Sequence, residues 1–306
     1  RDGASMNASA FAGFLLVAAV VALPFPVAVL WTRGRRASAL LLALVAGLPL
    51  FAAGGAPVTL AAAAVVAAAG TLLARLAGRG WSYGRCVAAL ALLLFFLAAG
   101  GAAATARQDW TVFFAARAAE IESLGGAGNA AFAGWLKWLD EHLVFLGFGL
   151  LFQGAFYAAS VQVALFFGWL RATSGEGSEP LPEGRFRTMR PPEWLVWAVI
   201  LVLVTWLVDN RWPNDALRAC AWNGAVALGA VYWLNGLGIL LCATEAFRFR
   251  PGLVVLTVSL VFLLSLQHLL AVAGLVDIWF DQRLAAARLA EAWRARRDSR
   301  NDDNDE

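Results

Sequence analysis

The chain has 306 residues, 61% of them apolar and 15% charged, with a formal net charge of +3. A soluble domain carries roughly 25% charged and 45–50% apolar residues, so this composition excludes a water-facing globule; the charges sit in short clusters between apolar runs, which excludes a nucleic-acid surface. Lipid is the solvent that accepts such a chain, and apolar runs of about 17 to 30 residues make its spans helices, since no backbone polar group can face hydrocarbon unpaired.

Taken in chain order, residues 10–31 are the first predicted span, kinked by Pro24 and Pro26. Arg33, Arg35 and Arg36 follow it, whereas a secretory signal carries its positive charge in front, so the segment reads as retained. The second span, 38–53, contains Pro49, and the turn Gly54-Gly55-Ala56-Pro57 leads to a third over 58–76. There Ala63, Ala67 and Gly70 put small residues on one face, for ordinary close packing or for docking a partner. The fourth span is 86–104. Residues 105–141 break the pattern: Asp109, Arg117, Glu120, Glu122, Lys137, Asp140 and Glu141 forbid a span, while Trp110, Phe113, Phe114, Trp135 and Trp138 forbid a purely solvated loop. Over 108–141 this predicts two amphipathic helices at the membrane interface, split by Gly125-Gly126-Ala127-Gly128, with Asn129 capping the second.

The fifth span, 142–170, is about 43 Å long at 1.5 Å per residue and must tilt or project. A polar loop follows over 171–192, rich in proline and arginine. The sixth span is 193–208, the seventh 216–247 and the eighth 252–276. A basic helix then runs to Arg300, and Asn301 to Glu306 form an acidic, disordered tail. The expected architecture is an all-α polytopic transmembrane bundle of about eight spans in one domain over 10–280, with 281–306 as an appendage.

Positive charge marks the cytoplasmic side. Alternate loops hold Arg33, Arg35 and Arg36; Arg75, Arg79 and Arg85; Arg171, Arg185, Arg187 and Arg190; and Arg248 and Arg250. Loops 32–37, 75–85, 171–192 and 248–251 are therefore expected in the cytoplasm. Eight full spans then place the arginine-rich tail outside, against the same rule. Either the last apolar stretch re-enters, or a long run hides two short segments, or the tail is external.

Polar side chains inside spans are costly and mark candidate sites. Gln153, Tyr157 and Ser160 share a face of span five; Asn235 and Glu245 share one of span seven; Gln267 and His268 lie in span eight, near Ser265. They line one polar cavity, or they make interhelical hydrogen bonds of about 0.6 kcal/mol each that need no ligand. No HExxH, GxSxG, Walker or CxxC pattern occurs, so no enzymatic activity, cofactor or metal is expected. Cys86, Cys220 and Cys242 are isolated and read as small buried hydrophobes.

Three segments are more specific. Pro191-Pro192-Glu193-Trp194-Leu195-Val196-Trp197 opens span six, Asn235-Gly236-Leu237-Gly238 lies in span seven, and Gly274-Leu275-Val276-Asp277-Ile278-Trp279-Phe280-Asp281-Gln282-Arg283 closes span eight. In this order they resemble the YybS-like family of predicted bacterial membrane proteins (domain of unknown function 2232), with Gln282 where the family usually has an aromatic. The resemblance implies a bacterial inner-membrane location and no known activity; the family is distantly similar to substrate-binding membrane subunits of energy-coupling-factor vitamin transporters. Read physically, Asp277, Trp279, Asp281 and Arg283 form an interfacial anchor or a docking motif for a partner subunit. Two functions follow: a small-molecule binding or transport subunit, or a membrane scaffold that recruits a membrane or cytoplasmic subunit through loop 171–192 and the tail. In both, the bilayer is the constant partner and nucleic acid is not one.

Overall fold

The computed structural model describes residues 24–47, 51–105, 110–123, 125–173, 186, 189–263 and 266–302. Its described residues form eleven α-helices and no strand: α1 Pro24–Thr32, α2 Arg36–Gly47, α3 Phe51–Gly78, α4 Tyr83–Thr105, α5 Trp110–Ser123, α6 Ala127–Thr173, α7 Leu195–Arg211, α8 Asp215–Ala246, α9 Pro251–Leu263, α10 Gln267–Phe280 and α11 Gln282–Asp302. Four stretches are long and apolar enough to cross a bilayer: Leu60–Gly78, Tyr83–Gly100, Phe145–Thr173 and Asp215–Ala246. The all-α membrane bundle is as expected. Residues 10–23, most of loop 171–192 with Arg185 and Arg187, Ser265, and residues 303–306 lie outside the described residues.

Side chains from α3, α4, α6 and α8 build the core, with Leu73, Tyr83, Leu90, Val163, Phe166 and Phe167 almost fully enclosed. Lipid tails are as apolar as these residues, so close packing, not exclusion of water, holds the helices together. The small face of α3 works in this way. A Cβ on Gly70 would meet Val27 Cγ1 at 2.6 Å and the Pro24 carbonyl at 2.8 Å, so this glycine lets α1 cross directly against α3.

Several expectations are corrected. Gly54-Gly55-Ala56-Pro57 is not a turn; it is helical within α3. Each glycine costs about 1 kcal/mol in a helix, and the alanine-rich surroundings, the best helix formers, outweigh them. The second amphipathic helix is not a separate element: it is the start of α6, which runs unbroken for 47 residues, about 70 Å. Asn129 is therefore inside α6 rather than its cap, and its Nδ2 donates to the Gly125 carbonyl at 2.6 Å. The apolar part of α6 begins at Phe145, so the helix extends about 27 Å beyond it. There α5 folds back on it: Ala118, Ala133 and Leu136 form a small core, and Lys137 Nζ pairs with Glu122 at 2.9 Å. Of the cysteines, Cys86 is buried but Cys220 is exposed.

Span eight is not one helix. It breaks between α9 and α10, where Leu266 N reaches back to the Val261 carbonyl at 2.9 Å. The contacts of α10 and α11 place both against α8. Gly274 abuts Tyr232 and Gly236 abuts Leu270, so α10 crosses α8 at these two glycines. Arg283 bonds Asn235, and Trp293 of α11 meets Phe247 at the end of α8 with ring centroids 6.4 Å apart, so α11 lies along the last turns of α8.

This geometry gathers the basic segments at one end. Arg33 lies over the Trp169 ring at 5.3 Å, Tyr83 packs edge-on against Phe186, Gly84 faces Met189, and Arg190 pairs with Asp281. At the opposite end Arg218 lies over Phe145, and Asp209 accepts bonds from Arg218 and from the Asn214 backbone.

Candidate functional site

The helices enclose a cavity of about 720 Å³, walled by α4, α6, α8, α10 and the segment at Phe186. On α6 its lining residues are Gln153, Tyr157, Ser160, Val161 and Ala164, and on α8 they include Trp222, Val226, Gly229, Trp233 and Leu237. Steps of three and four residues place each set on one helix face. The helices run parallel, held in register where Gly149 donates its N–H to Asn223 Oδ1 at 2.6 Å. A Cβ at Gly149 would stand 2.9 Å from the Asn223 backbone, so the glycine sets that approach.

Most polar atoms of the wall are already engaged. Tyr83 Oη donates to the Ser160 carbonyl at 2.8 Å, Ser160 Oγ donates to the Phe156 carbonyl at 2.8 Å, and Gln153 Nε2 donates to Tyr157 Oη at 3.1 Å. Tyr157 leans on Trp233 with centroids 5.1 Å apart. What remains to face a ligand is the Tyr157 hydroxyl proton, the Gln153 carbonyl oxygen and the imidazole of His268, which lies exposed at the start of α10. Among the described residues the walls hold no Asp, Glu, Lys or Arg.

Of the residues the sequence pointed to, Gln153, Tyr157, Ser160 and His268 come together here. Asn235 does not line the cavity; it is buried on another face of α8. Glu245 is exposed near the end of α8. The side chain of Gln267 lies outside the described residues. Tyr83, Phe186, Trp222 and Trp233 were missed. Trp222, Val226, Gly229 and Trp233 repeat at helical spacing, the same signal that located the stripe on α6; an aromatic stripe in a membrane helix is simply indistinguishable from lipid-facing sequence.

The three specific segments meet at a second place, an ionic knot. Asn235 Nδ2 donates to the Gly274 carbonyl at 2.7 Å, and Asn235 Oδ1 accepts from Arg283 Nη2 at 2.6 Å. The same Nη2 donates to the Met189 carbonyl at 2.9 Å. Asp277 Oδ1 accepts the Gln282 N–H at 2.8 Å and so caps α11, while its Oδ2 stands 3.8 Å from Arg283 Nε. Burial pulls the Arg283 guanidinium below its usual pKa, and the carboxylate of Asp277 partly offsets this; an arginine remains charged regardless. Asp281 closes α10 in the left-handed conformation and bonds Arg190 at 2.5 Å. Trp279 is exposed. A small cavity of about 260 Å³ adjoins the knot, lined by Arg190, Pro191, Pro192, Glu193, Asn235, Asp277 and Ile278. Asp277 and Arg283 thus face inward, the first fixing the corner between α10 and α11 and the second holding the loop before α7. Among the described residues no group of His, Cys, Asp and Glu is placed to hold a metal ion.

No curated protein and no solved structure matches the chain. A family model described as a predicted membrane protein (DUF2232) matches residues 4–115 and 150–278. Those two stretches contain the cavity helices and most of the knot, and the unmatched residues between them include the projecting part of α6. With well over half of its length covered, the chain belongs to this family of membrane proteins, DUF2232.

Proposed function

We propose that the protein is a small-molecule-binding subunit of a membrane transport system, with its ligand held in the cavity between α6, α8 and α10. The observation that carries this reading is the cavity itself. Helices in a bilayer cohere by close packing, and a void of about 720 Å³ falls within the roughly 300–1,000 Å³ of ligand sites. The likeness to substrate-binding subunits of energy-coupling-factor transporters, drawn from the sequence, points to the same class. No nucleotide-binding motif occurs in the sequence, so energy coupling falls to another chain. The positive-inside rule assigns the end with Arg33, Arg190 and Arg248 to the cytoplasm, and α11 lies on that side through its contacts with Arg190 and Phe247.

The scaffold reading rests on loop 171–192 and the tail, where Leu289 and Trp293 of α11 are exposed. Of the separate docking motif, Asp277 and Arg283 are buried and engaged within the chain, whereas Trp279 is exposed. Native mass spectrometry of gently purified protein tests the proposal. The expected result is a small-molecule adduct on the wild type that is absent from a Gly229→Leu variant, since a Cβ at Gly229 points into open space in the cavity wall. An adduct equally present on both proteins contradicts the placement in this cavity.

A further inference from the structure

The position of the cavity's mouth and the chemistry of its walls define the kind of molecule it takes. Five lining residues are exposed at the protein surface: Val161 and Ala164 on α6, Trp222 and Ala225 on α8, and His268 on α10. Val161 lies near the middle of the apolar stretch Phe145–Thr173, and Ala225 lies ten residues into the stretch Asp215–Ala246. The mouth therefore opens at the depth of the hydrocarbon layer and not at either aqueous end.

A charged ligand reaching this mouth would first have to cross hydrocarbon. Inside, it would meet no carboxylate, lysine or arginine among the described lining residues, and an unpaired charge in such a place is very costly. The walls instead present flat aromatic surface from Tyr83, Tyr157, Phe186, Trp222 and Trp233. Among the described residues, a hydroxyl donor on Tyr157, a carbonyl acceptor on Gln153 and the neutral polar edge of the His268 imidazole face the space. Resting on the reading of this cavity as a binding site, we propose that its ligand is an uncharged, predominantly apolar molecule with at most one or two neutral polar groups, taken sideways from the bilayer.

The test uses a matched pair of fluorescent probes on the full chain in lipid nanodiscs. N-phenyl-1-naphthylamine is neutral; 8-anilino-1-naphthalenesulfonate has a similar aromatic frame and carries an anionic group. Energy transfer from tryptophan reports occupancy beside Trp222 and Trp233, and empty nanodiscs give the partition background. The neutral probe is expected to show a saturable signal on the wild type that is lost in Gly229→Leu. It should be retained in Gly168→Leu, an equal substitution on the exposed side of α6, outside the cavity. The anionic probe is expected to show no saturable component. Saturable binding of the anion that Gly229→Leu abolishes, with none of the neutral probe, overturns the ligand class while leaving the cavity as a site. Absence of saturable binding for both probes, or binding that Gly229→Leu leaves unchanged, overturns both readings. A Gly229→Leu protein that fails to incorporate as a monodisperse species is replaced by Ala225→Leu at the mouth, with the same expected loss.

Discussion

At the residue scale, Asn235 and Arg283 make a buried hydrogen bond to a charged group inside the bundle. The asparagine holds the Gly274 carbonyl with one end of its amide and the guanidinium with the other. Removing either side chain strands buried groups on its partners, and a hydrogen bond to a charged group contributes about 1.5–3 kcal/mol. We therefore expect Asn235→Ala to destabilise the protein by about 2–4 kcal/mol, measured by unfolding in detergent, with non-additivity between Asn235→Ala and Arg283→Met in a double-mutant cycle. Arg190 pairs with Asp281 where both side chains are about half exposed; Arg190→Ala should cost under about 1 kcal/mol. Equal losses from Arg190→Ala and Asn235→Ala would contradict this ranking. The sequence named Asn235, Asp277, Asp281 and Arg283 as polar residues out of place in an apolar chain. It did not pair Asn235 with Arg283, because 48 residues lie between them.

At the element scale, α8 and α10 are held at contact distance by two glycines. A Cβ on Gly236 would land on the Leu270 carbonyl, and one on Gly274 on the Tyr232 carbonyl. Both obstacles are backbone, which cannot swing aside as a side chain can. Gly236→Val or Gly274→Val should force the helices apart at a cost of about 3 kcal/mol or more. The expected result is loss of the monodisperse peak on size exclusion, while Gly229→Ala, with nothing within 4 Å of the added carbon, leaves it intact. A normal elution profile for Gly236→Val would sink the close-crossing account. Glycines were visible in the sequence, but their meaning was not. Gly54 and Gly55 look like a turn and lie within a helix, whereas Gly236, singled out only as part of the Asn235–Gly238 segment, governs a crossing. Glycine reports only that a side chain is absent; the neighbour that needs the room comes from elsewhere in the chain. The length of α6 was hidden for a related reason. Hydropathy registers where the helix leaves lipid, at Phe145, but the helical backbone continues past that point because its charged residues suit a solvated helix as well as its apolar ones suit lipid.

At the scale of the whole molecule, α11 shares an end with the other basic segments, through Arg190 on Asp281 and Trp293 on Phe247. In a cysteine-free background, an impermeant maleimide applied to intact cells should label Glu141→Cys on the projecting helix and spare Arg297→Cys, which should react only after permeabilisation. Labelling of Arg297→Cys from outside would refute the shared end. Lipid as solvent, helix as the spanning form and arginine as the marker of one end were all readable from the chain alone, because hydropathy and charge belong to a segment whatever surrounds it. The break near Leu266, the inward use of Asn235, and the union of Gln153, Tyr157, Ser160 and His268 around one cavity were settled only by tertiary structure, because a helix face has no role until another helix, a void or lipid lies against it.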